Sequence, residues 1–169
     1  FYAQFEHRFT EQLNAVAGVQ ANKIGHLDLN AVPRAGLVWT PGGGLSVKAL
    51  FGKAYRAPSI NELYLNYPTL RGNPNLLPER VKTWDVSVAY LANRFHASAT
   101  VFNSRQTDII RGNTELDPVV VIYVNAAQTH NSGIEFEFKH YLSDRVFLSG
   151  SALRVHAHAM SDGKPLPLA

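Results

Sequence analysis

Long windows of this chain alternate apolar and polar residues with a period of two. Trp84, Val86, Val88 and Tyr90 interleave with Asp85, Ser87 and Ala89. Ile134, Phe136 and Phe138 interleave with Glu135, Glu137 and Lys139. Near the start, Phe1, Ala3, Phe5, His7 and Phe9 interleave with Tyr2, Gln4, Glu6 and Arg8. The same pattern runs through 13–21, 35–39, 45–51, 95–102 and 147–155. Side chains of a strand point alternately to its two faces, so this periodicity predicts half-buried strands rather than helices. About eight such windows are present, each near the ~9–11 residues that carry a tilted strand across a bilayer.

The connections constrain the architecture further. Those at 10–12, 41–44, 92–94 and 142–145 are tight and rich in Gly, Pro, Asn, Asp and Ser, which supply turn geometry. Those at 23–33, 57–82 and 106–131 are long, and short and long alternate strictly. This layout predicts an all-β, antiparallel up-and-down meander with turns at one end and loops at the other, as in a transmembrane β-barrel. A soluble sandwich mixes loop lengths through Greek-key connections. Composition agrees: 46% of residues are hydrophobic and only 17% charged, below the usual quarter. No run approaches the ~20 apolar residues of a membrane helix. Phe9, Trp39, Tyr90, Phe95, Tyr141 and Phe147 fall beside short turns, where an interfacial aromatic girdle would sit. On this reading Val47, Ala49, Phe51, Val86, Val88, Ala97, Ala99, Phe136 and Phe138 face lipid. Lys48, Asp85, Glu135, Glu137 and Lys139 then line the lumen.

Several function classes drop out. Net charge is +3 without a Lys/Arg cluster, so no nucleic-acid partner is expected. The absence of cysteine removes disulfides and thiolate metal sites. There is no phosphate-binding glycine loop, no Gly-x-Ser-x-Gly and no metalloprotease motif, so neither catalysis nor a cofactor is expected. His156 and His158 share a strand face, but a metal site would need a third ligand such as Asp162, and exposed histidines at a loop base are the simpler reading.

The most specific stretch is 51–79, FGKAYRAPSINELYLNYPTLRGNPNLLPE. Arg56-Ala57-Pro58-Ser59 closes a strand, because Pro58 removes a ladder donor and restricts Ala57 to extended backbone. Arg56 shares a face with Lys48 and could pair with Glu62 or Glu79. Gly72-Asn73-Pro74-Asn75-Leu76 follows, with Pro78-Glu79 just after, a cluster of αL-tolerant turn residues. Pro33-Arg34-Ala35-Gly36-Leu37, and Asn125 followed by Gly133-Ile134-Glu135, complete the set.

Together these boxes resemble the late barrel strands of TonB-dependent outer-membrane receptors, over essentially all of residues 1–169. The resemblance implies a partial barrel, about eight of roughly 22 strands around a plugged lumen. It implies that the plug domain and the closing C-terminal strand are absent from the chain. Arg56, Ala57, Pro58, Gly72, Asn73, Pro74, Leu76, Pro78 and Glu79 are then the family motif at the loop base. It further implies a multi-pass place in the outer membrane of a Gram-negative bacterium. The partners would be membrane lipid, the TonB complex through the plug, and a small-molecule ligand. Haem-transporting members carry a histidine between the two boxes; here the interval holds Tyr64, Tyr67 and Arg71 instead. Arginine can attract an anionic chelate and tyrosine can stack on it, or the three can simply pack the loop. The resemblance alone, through the family's commonest cargo, makes a ferric siderophore the expected ligand, with cobalamin, haem and oligosaccharides open as alternatives. Two alternatives are a porin-like passive channel, which lacks the boxes, and a soluble β-sandwich binding module.

Overall fold

The computed structural model describes residues 1–23, 29–114, 119–161 and 164–166. Eight long strands carry it: β1 (Tyr2–Arg8), β2 (Leu13–Asn22), β3 (Asn30–Gly42), β4 (Leu45–Arg56), β7 (Glu79–Leu91), β8 (Phe95–Asn113), β9 (Val121–Tyr141) and β10 (Phe147–Ser161). Between β4 and β7 lie a short helix α1 (Ile60–Tyr64) and two short strands, β5 (Asn66–Tyr67) and β6 (Leu70–Arg71). A short β11 (Lys164–Leu166) follows β10. The strands form one sheet in the order β1-β2-β3-β4-β7-β8-β9-β10-β11, so each long strand lies beside its neighbour in sequence. This is the expected meander. One pairing departs from it: β6 runs parallel to β9, with Leu70 beside Val121 and Arg71 beside Ile122.

The chain divides into two compact units. The first comprises Phe1–Lys53, Thr83–Ser104 and Asn131–His156; the second comprises Ala54–Lys82, Arg105–His130 and Ala157–Ala169.

In the first unit the register shows two chemically distinct faces. On one, Leu13, Trp39 and Val47 form a rung, as do Ala15, Leu37 and Ala49, and Ala17, Ala35 and Phe51. The alternate rungs hold Gln4 beside Gly18 beside Arg34, and Arg8 beside Asn14 beside Val38 beside Lys48. A row of polar contacts runs along that second face. Arg34 stacks over the Tyr2 ring at 4.7 Å and donates to Gln4 Oε1 at 3.2 Å. The first face is therefore built to meet an apolar medium, and the second a wet one.

All four short turns lie side by side in this unit. The Thr40 amide donates to the Gln12 carbonyl at 2.7 Å, Leu91 to Gly44 at 2.8 Å and Tyr141 to Arg94 at 2.8 Å. Each turn thus neighbours the next. The second is built on Gly42, Gly43 and Gly44, all with positive φ. At Gly44 (φ +82°) a Cβ would stand 1.9 Å from the Leu91 carbonyl oxygen, so only glycine lets these turns abut. Arg94 and Asp144 pair at 3.0 Å between the third and fourth turns, but both are exposed and the pair contributes little.

Two expectations are corrected here. Tyr141 and Phe147 do not join an apolar-face girdle. Their rings stack at 5.9 Å, and the Lys139 ammonium sits 4.6 Å over one and 4.5 Å over the other. By strand parity they share the face of Glu135, Glu137 and Lys139, where a cation can use their π surfaces. Tyr90 and Phe95 do meet, with ring centroids 6.5 Å apart, in the position expected of a girdle. Secondly, 106–131 is not one long loop: β8 runs to Asn113 and β9 starts at Val121, leaving a short connection. Of the long connection at 23–33, residues 24–28 lie outside the described residues, and β3 already starts at Asn30.

Candidate functional site

The second unit is organised around one arginine. Arg56 ends β4 and makes a two-pronged contact to Glu79 at the start of β7, with Nε to Oε2 at 2.9 Å and Nη2 to Oε1 at 2.7 Å. The other edge of the guanidinium holds Glu62 in α1, with Nη1 to Oε2 at 2.9 Å and Nη2 to Oε1 at 3.1 Å. Its planar fork suits two carboxylates, where a lysine ammonium would not. Glu79 is buried and its remaining capacity is used: the Ile110 amide donates to Oε1 at 2.9 Å and Gln106 Nε2 to Oε2 at 3.4 Å. One side chain thus ties together the ends of β4 and β7, the loop helix and β8.

Local sequence explains α1. Ser59 is its N-cap, and Glu62 stands three residues inside. Ser59 Oγ accepts the Glu62 amide at 3.2 Å, and Glu62 Oε2 accepts the Ser59 amide at 2.7 Å. This reciprocal capping box satisfies two orphan donors at a helix start. Glu62 therefore serves both the helix and the arginine.

Behind the ion cluster sits a small apolar core of Leu63, Leu76 and Ile110, with Tyr123 packed against it. Pro58 and Pro78 are also buried. Asn73 positions the chain into this core: its amide donates to the Glu62 carbonyl at 2.8 Å, its Nδ2 to the Tyr123 carbonyl at 3.1 Å, and its Oδ1 accepts the Asn75 amide at 3.0 Å. Gly72 serves space rather than a left-handed turn. Positive φ occurs at Asp108 and at Gly42, Gly43 and Gly44, not at Gly72 or Asn73, which corrects the turn geometry expected of that box. A Cβ on Gly72 would come 2.6 Å from the backbone of Leu63 and Tyr64. Asn125 locks the far end: its Oδ1 accepts the Leu77 amide at 2.7 Å and its Nδ2 donates to the Leu77 carbonyl at 2.9 Å and to the Asp108 carbonyl at 2.7 Å. The residues from Arg56 to Glu79 thus form a densely hydrogen-bonded loop base; among them Ala57 is half-buried and Pro74 exposed.

On this base Tyr64 and Tyr67 are 55% and 64% exposed, enough to offer most of each ring. Arg71 is exposed as well. In the β5–β6 hairpin Tyr67 pairs with Leu70 and Arg71 with Asn66. Those are successive rungs, so Tyr67 and Arg71 project from opposite faces of the hairpin. Ser59, Ile110, Tyr123 and the side-chain role of Asn125 were absent from the expected site. The Ser-x-x-Glu spacing at 59–62 was a legible signal for the helix. Among the described residues no three His, Cys, Asp or Glu side chains gather as a metal site requires, and Asp162 lies outside them.

The electrostatics of the loop give a pH dependence. Glu62 lies on the loop helix, and its carboxyl is held at about 2, from an ordinary 4.5, chiefly by its bonds to Arg56. Glu79 begins β7 where the alternate positions are Arg80 and Lys82 rather than apolar residues, so it lies beyond the strand's apolar stretch. Its carboxyl is lowered too, by Arg56 first and then by the Ile110 amide. Both folded values lie below the unfolded one. Their stabilisation is therefore fully present above about pH 4.5 and is lost as pH falls toward 2. Protection factors at the Leu76 and Ile110 amides should fall across that window while those of β2 and β3 amides hold. An equal fall in both places would remove the cluster as the cause.

Comparison with known proteins follows the same outline. Residues 1–168 match the family described as TonB dependent receptor-like, beta-barrel. Among solved structures, the siderophore receptor PirA from Pseudomonas aeruginosa superposes with a TM-score of 0.81 at 18% identity, covering 94% of this chain and 32% of that one. The FrpB iron transporter from Neisseria meningitidis (F3-3 variant) gives 0.75 at 17% identity, covering 98% and 27%. The copper transporter OprC gives 0.72 at 14% identity, covering 98% and 30%. This chain therefore spans about a third or less of the length of those proteins.

Proposed function

The chain belongs to the TonB-dependent receptor β-barrel family, and from that premise we propose that it is part of an active outer-membrane importer for a ferric siderophore. The observation that carries the ligand reading is the loop at 57–82. A ligand-capturing loop is most effective when it is already ordered, because ordering on binding subtracts from affinity. The Arg56–Glu62–Glu79 cluster supplies that order and leaves Tyr64, Tyr67 and Arg71 exposed upon it. Two similar structures are described as a siderophore receptor and an iron transporter, which favours iron chelates over other scarce solutes.

In this reading tyrosine rings pack against the chelate and Arg71 attracts its negative charge. The loop captures the solute outside. A plug within the barrel holds the path closed, and the TonB complex, drawing on the proton-motive force, opens it. Arg56 and Glu79 have no contact with the solute; they hold the frame.

The test is a Tyr64→Ala/Tyr67→Ala/Arg71→Ala variant of the intact receptor, with ferric siderophore affinity measured on outer-membrane preparations. Affinity should fall by about tenfold or more, as for loss of a few central contacts. Heat-modifiable gel mobility should stay normal. A folded variant with unchanged affinity would take this loop out of the binding site. Because Tyr67 and Arg71 project oppositely, a Tyr64→Ala/Tyr67→Ala pair and Arg71→Ala alone should differ in effect, and the larger loss identifies the ligand-facing side.

A further inference from the structure

Two histidines stand opposite each other where β9 and β10 pass through the second unit. Gln128 Nε2 lies 4.0 Å from Met160 Sδ, so these two residues are cross-strand neighbours. The two strands are adjacent in the sheet and joined by the fourth turn, so they run antiparallel. Counting from that turn, where the Leu142 amide donates to the Val146 carbonyl at 2.9 Å, also sets Gln128 opposite Met160. A step of two residues along each strand then brings His130 opposite His158, on the face that carries Gln128 and Met160. Directly opposed residues have Cβ atoms about 4.5–5.5 Å apart, close enough for two imidazoles to share one ion. Both histidines are exposed and Met160 is half-buried. His130, His158, Gln128 and Met160 all belong to the second unit.

Strand parity gives His156 and Arg154 the same side of β10, but these belong to the first unit. Among the described residues no third His, Cys, Asp or Glu joins the pair. That set serves poorly an ion that needs several such ligands. The further donor beside the pair is the Met160 thioether, two residues from His158, on a flexible unbranched side chain that can swing toward the rings. Its sulfur contact with Gln128 is weak and easily given up. Met160 also borders a polar cleft of about 290 Å³ with Thr107, Asp108 and Gln128, which opens it to solvent.

Two imidazole nitrogens and a thioether sulfur make a neutral, soft ligand set. Thioethers select cuprous copper, and imidazole accepts copper too. A monovalent ion also suits the local charge. Arg105 donates to Gln128 Oε1 at 3.3 Å, and a divalent ion beside that guanidinium would meet twice the repulsion. The Asp108 carboxylate in the cleft supplies some opposing charge. We propose that His130, His158 and Met160 hold a cuprous ion at this surface. Both imidazoles interact with other neighbours as well. A ring can do so through one nitrogen while the other ligates, which is the usual arrangement at metal sites. The proposal is independent of what the receptor transports.

The experiment uses the intact receptor in detergent under anaerobic, reducing conditions and measures the Cu(I) it withholds from a coloured Cu(I) chelator. Wild type should withhold one equivalent more than a His130→Ala/His158→Ala variant. Met160→Leu conserves volume. It should weaken that equivalent by at least the ~10-fold that loss of even an outer-shell partner costs, while Zn(II) binding stays at wild-type strength. His156→Ala should match wild type. Heat-modifiable gel mobility reports folding in each case. Equal copper retention by wild type and the double variant would overturn the proposal. Undiminished Cu(I) affinity in Met160→Leu would do so as well, since it leaves a bare histidine pair. Loss of the equivalent in His156→Ala would move the site out of the second unit and reject it too. Should the double variant fail to fold, Met160→Leu alone decides.

Discussion

Arg56→Ala in the intact receptor should loosen the 57–82 loop by about 2–3 kcal/mol while the barrel stays folded. Removing one partner of a buried, hydrogen-bonded ion pair typically costs ~3–5 kcal/mol, because the remaining charge is left uncompensated. The Arg56 side chain is 47% exposed, so solvent recovers part of that; Glu79 is only 10% exposed, so much remains. After the change Glu79 would keep the Ile110 amide and Gln106, but no cation. Glu62 would keep its cap on Ser59, so α1 should survive as a turn while losing its anchor. Exchange protection at Ile110 and Leu76 should drop by roughly 30–150-fold, the equivalent of that free energy at 1.4 kcal/mol per decade. Arg56→Lys should fall between, since it restores charge without the fork. Wild-type protection in Arg56→Ala would show that the apolar core of Leu63, Leu76 and Ile110 orders the loop by itself.

How much of this could be seen in the sequence depends on which medium each face meets. Strand β7 was legible because Trp84, Val86, Val88 and Tyr90 alternate with Asp85 and Ser87, and only one side is apolar. Beyond that band both sides are wet. Selection for alternation lapses there, yet the backbone ladder continues, so the ends of β8 and the start of β9 looked like loop. The pairing of Arg56 with Glu62 and Glu79 was foreseeable as a possibility from parity and family spacing. The Ile110 amide and the Asn125 clamp were not, since they are long-range contacts made beside an irregular backbone at Asp108 (φ 58°). Tyr141 and Phe147 were misplaced because proximity to a turn identifies a level along the strand but not a face. The parity of Tyr141 with Lys139 carried that information. For Tyr64, Tyr67 and Arg71, exposure was legible from a turn-rich loop, whereas the opposed directions of Tyr67 and Arg71 follow from a two-residue pairing that no propensity encodes.

Phe136→Arg should destabilise the inserted receptor by ~2–4 kcal/mol, the expected range for a cation on the lipid face near mid-bilayer. Phe136 is 44% exposed, between Ile134 and Phe138 on the apolar side of β9, and its ring meets that of Phe138 at 6.2 Å. It stands six residues from Leu142 at the fourth turn, which is about 14 Å of depth along a strand tilted near 45°. An arginine there is too far from either interface to reach it without distorting the bilayer. Lys139→Ala provides the contrast. Lys139 belongs to the polar face, where its removal forfeits only its contacts over the Tyr141 and Phe147 rings, about 1 kcal/mol or less in a wet site. The two changes sit three residues apart on one strand, so a difference between them reports the face and not the region. Reversible urea titration in lipid vesicles should rank Phe136→Arg well below wild type, with Lys139→Ala close to it. If Lys139→Ala proved equally or more damaging, the two faces would have to be exchanged, and the lumen would lie on the side of Val47, Phe51 and Phe136.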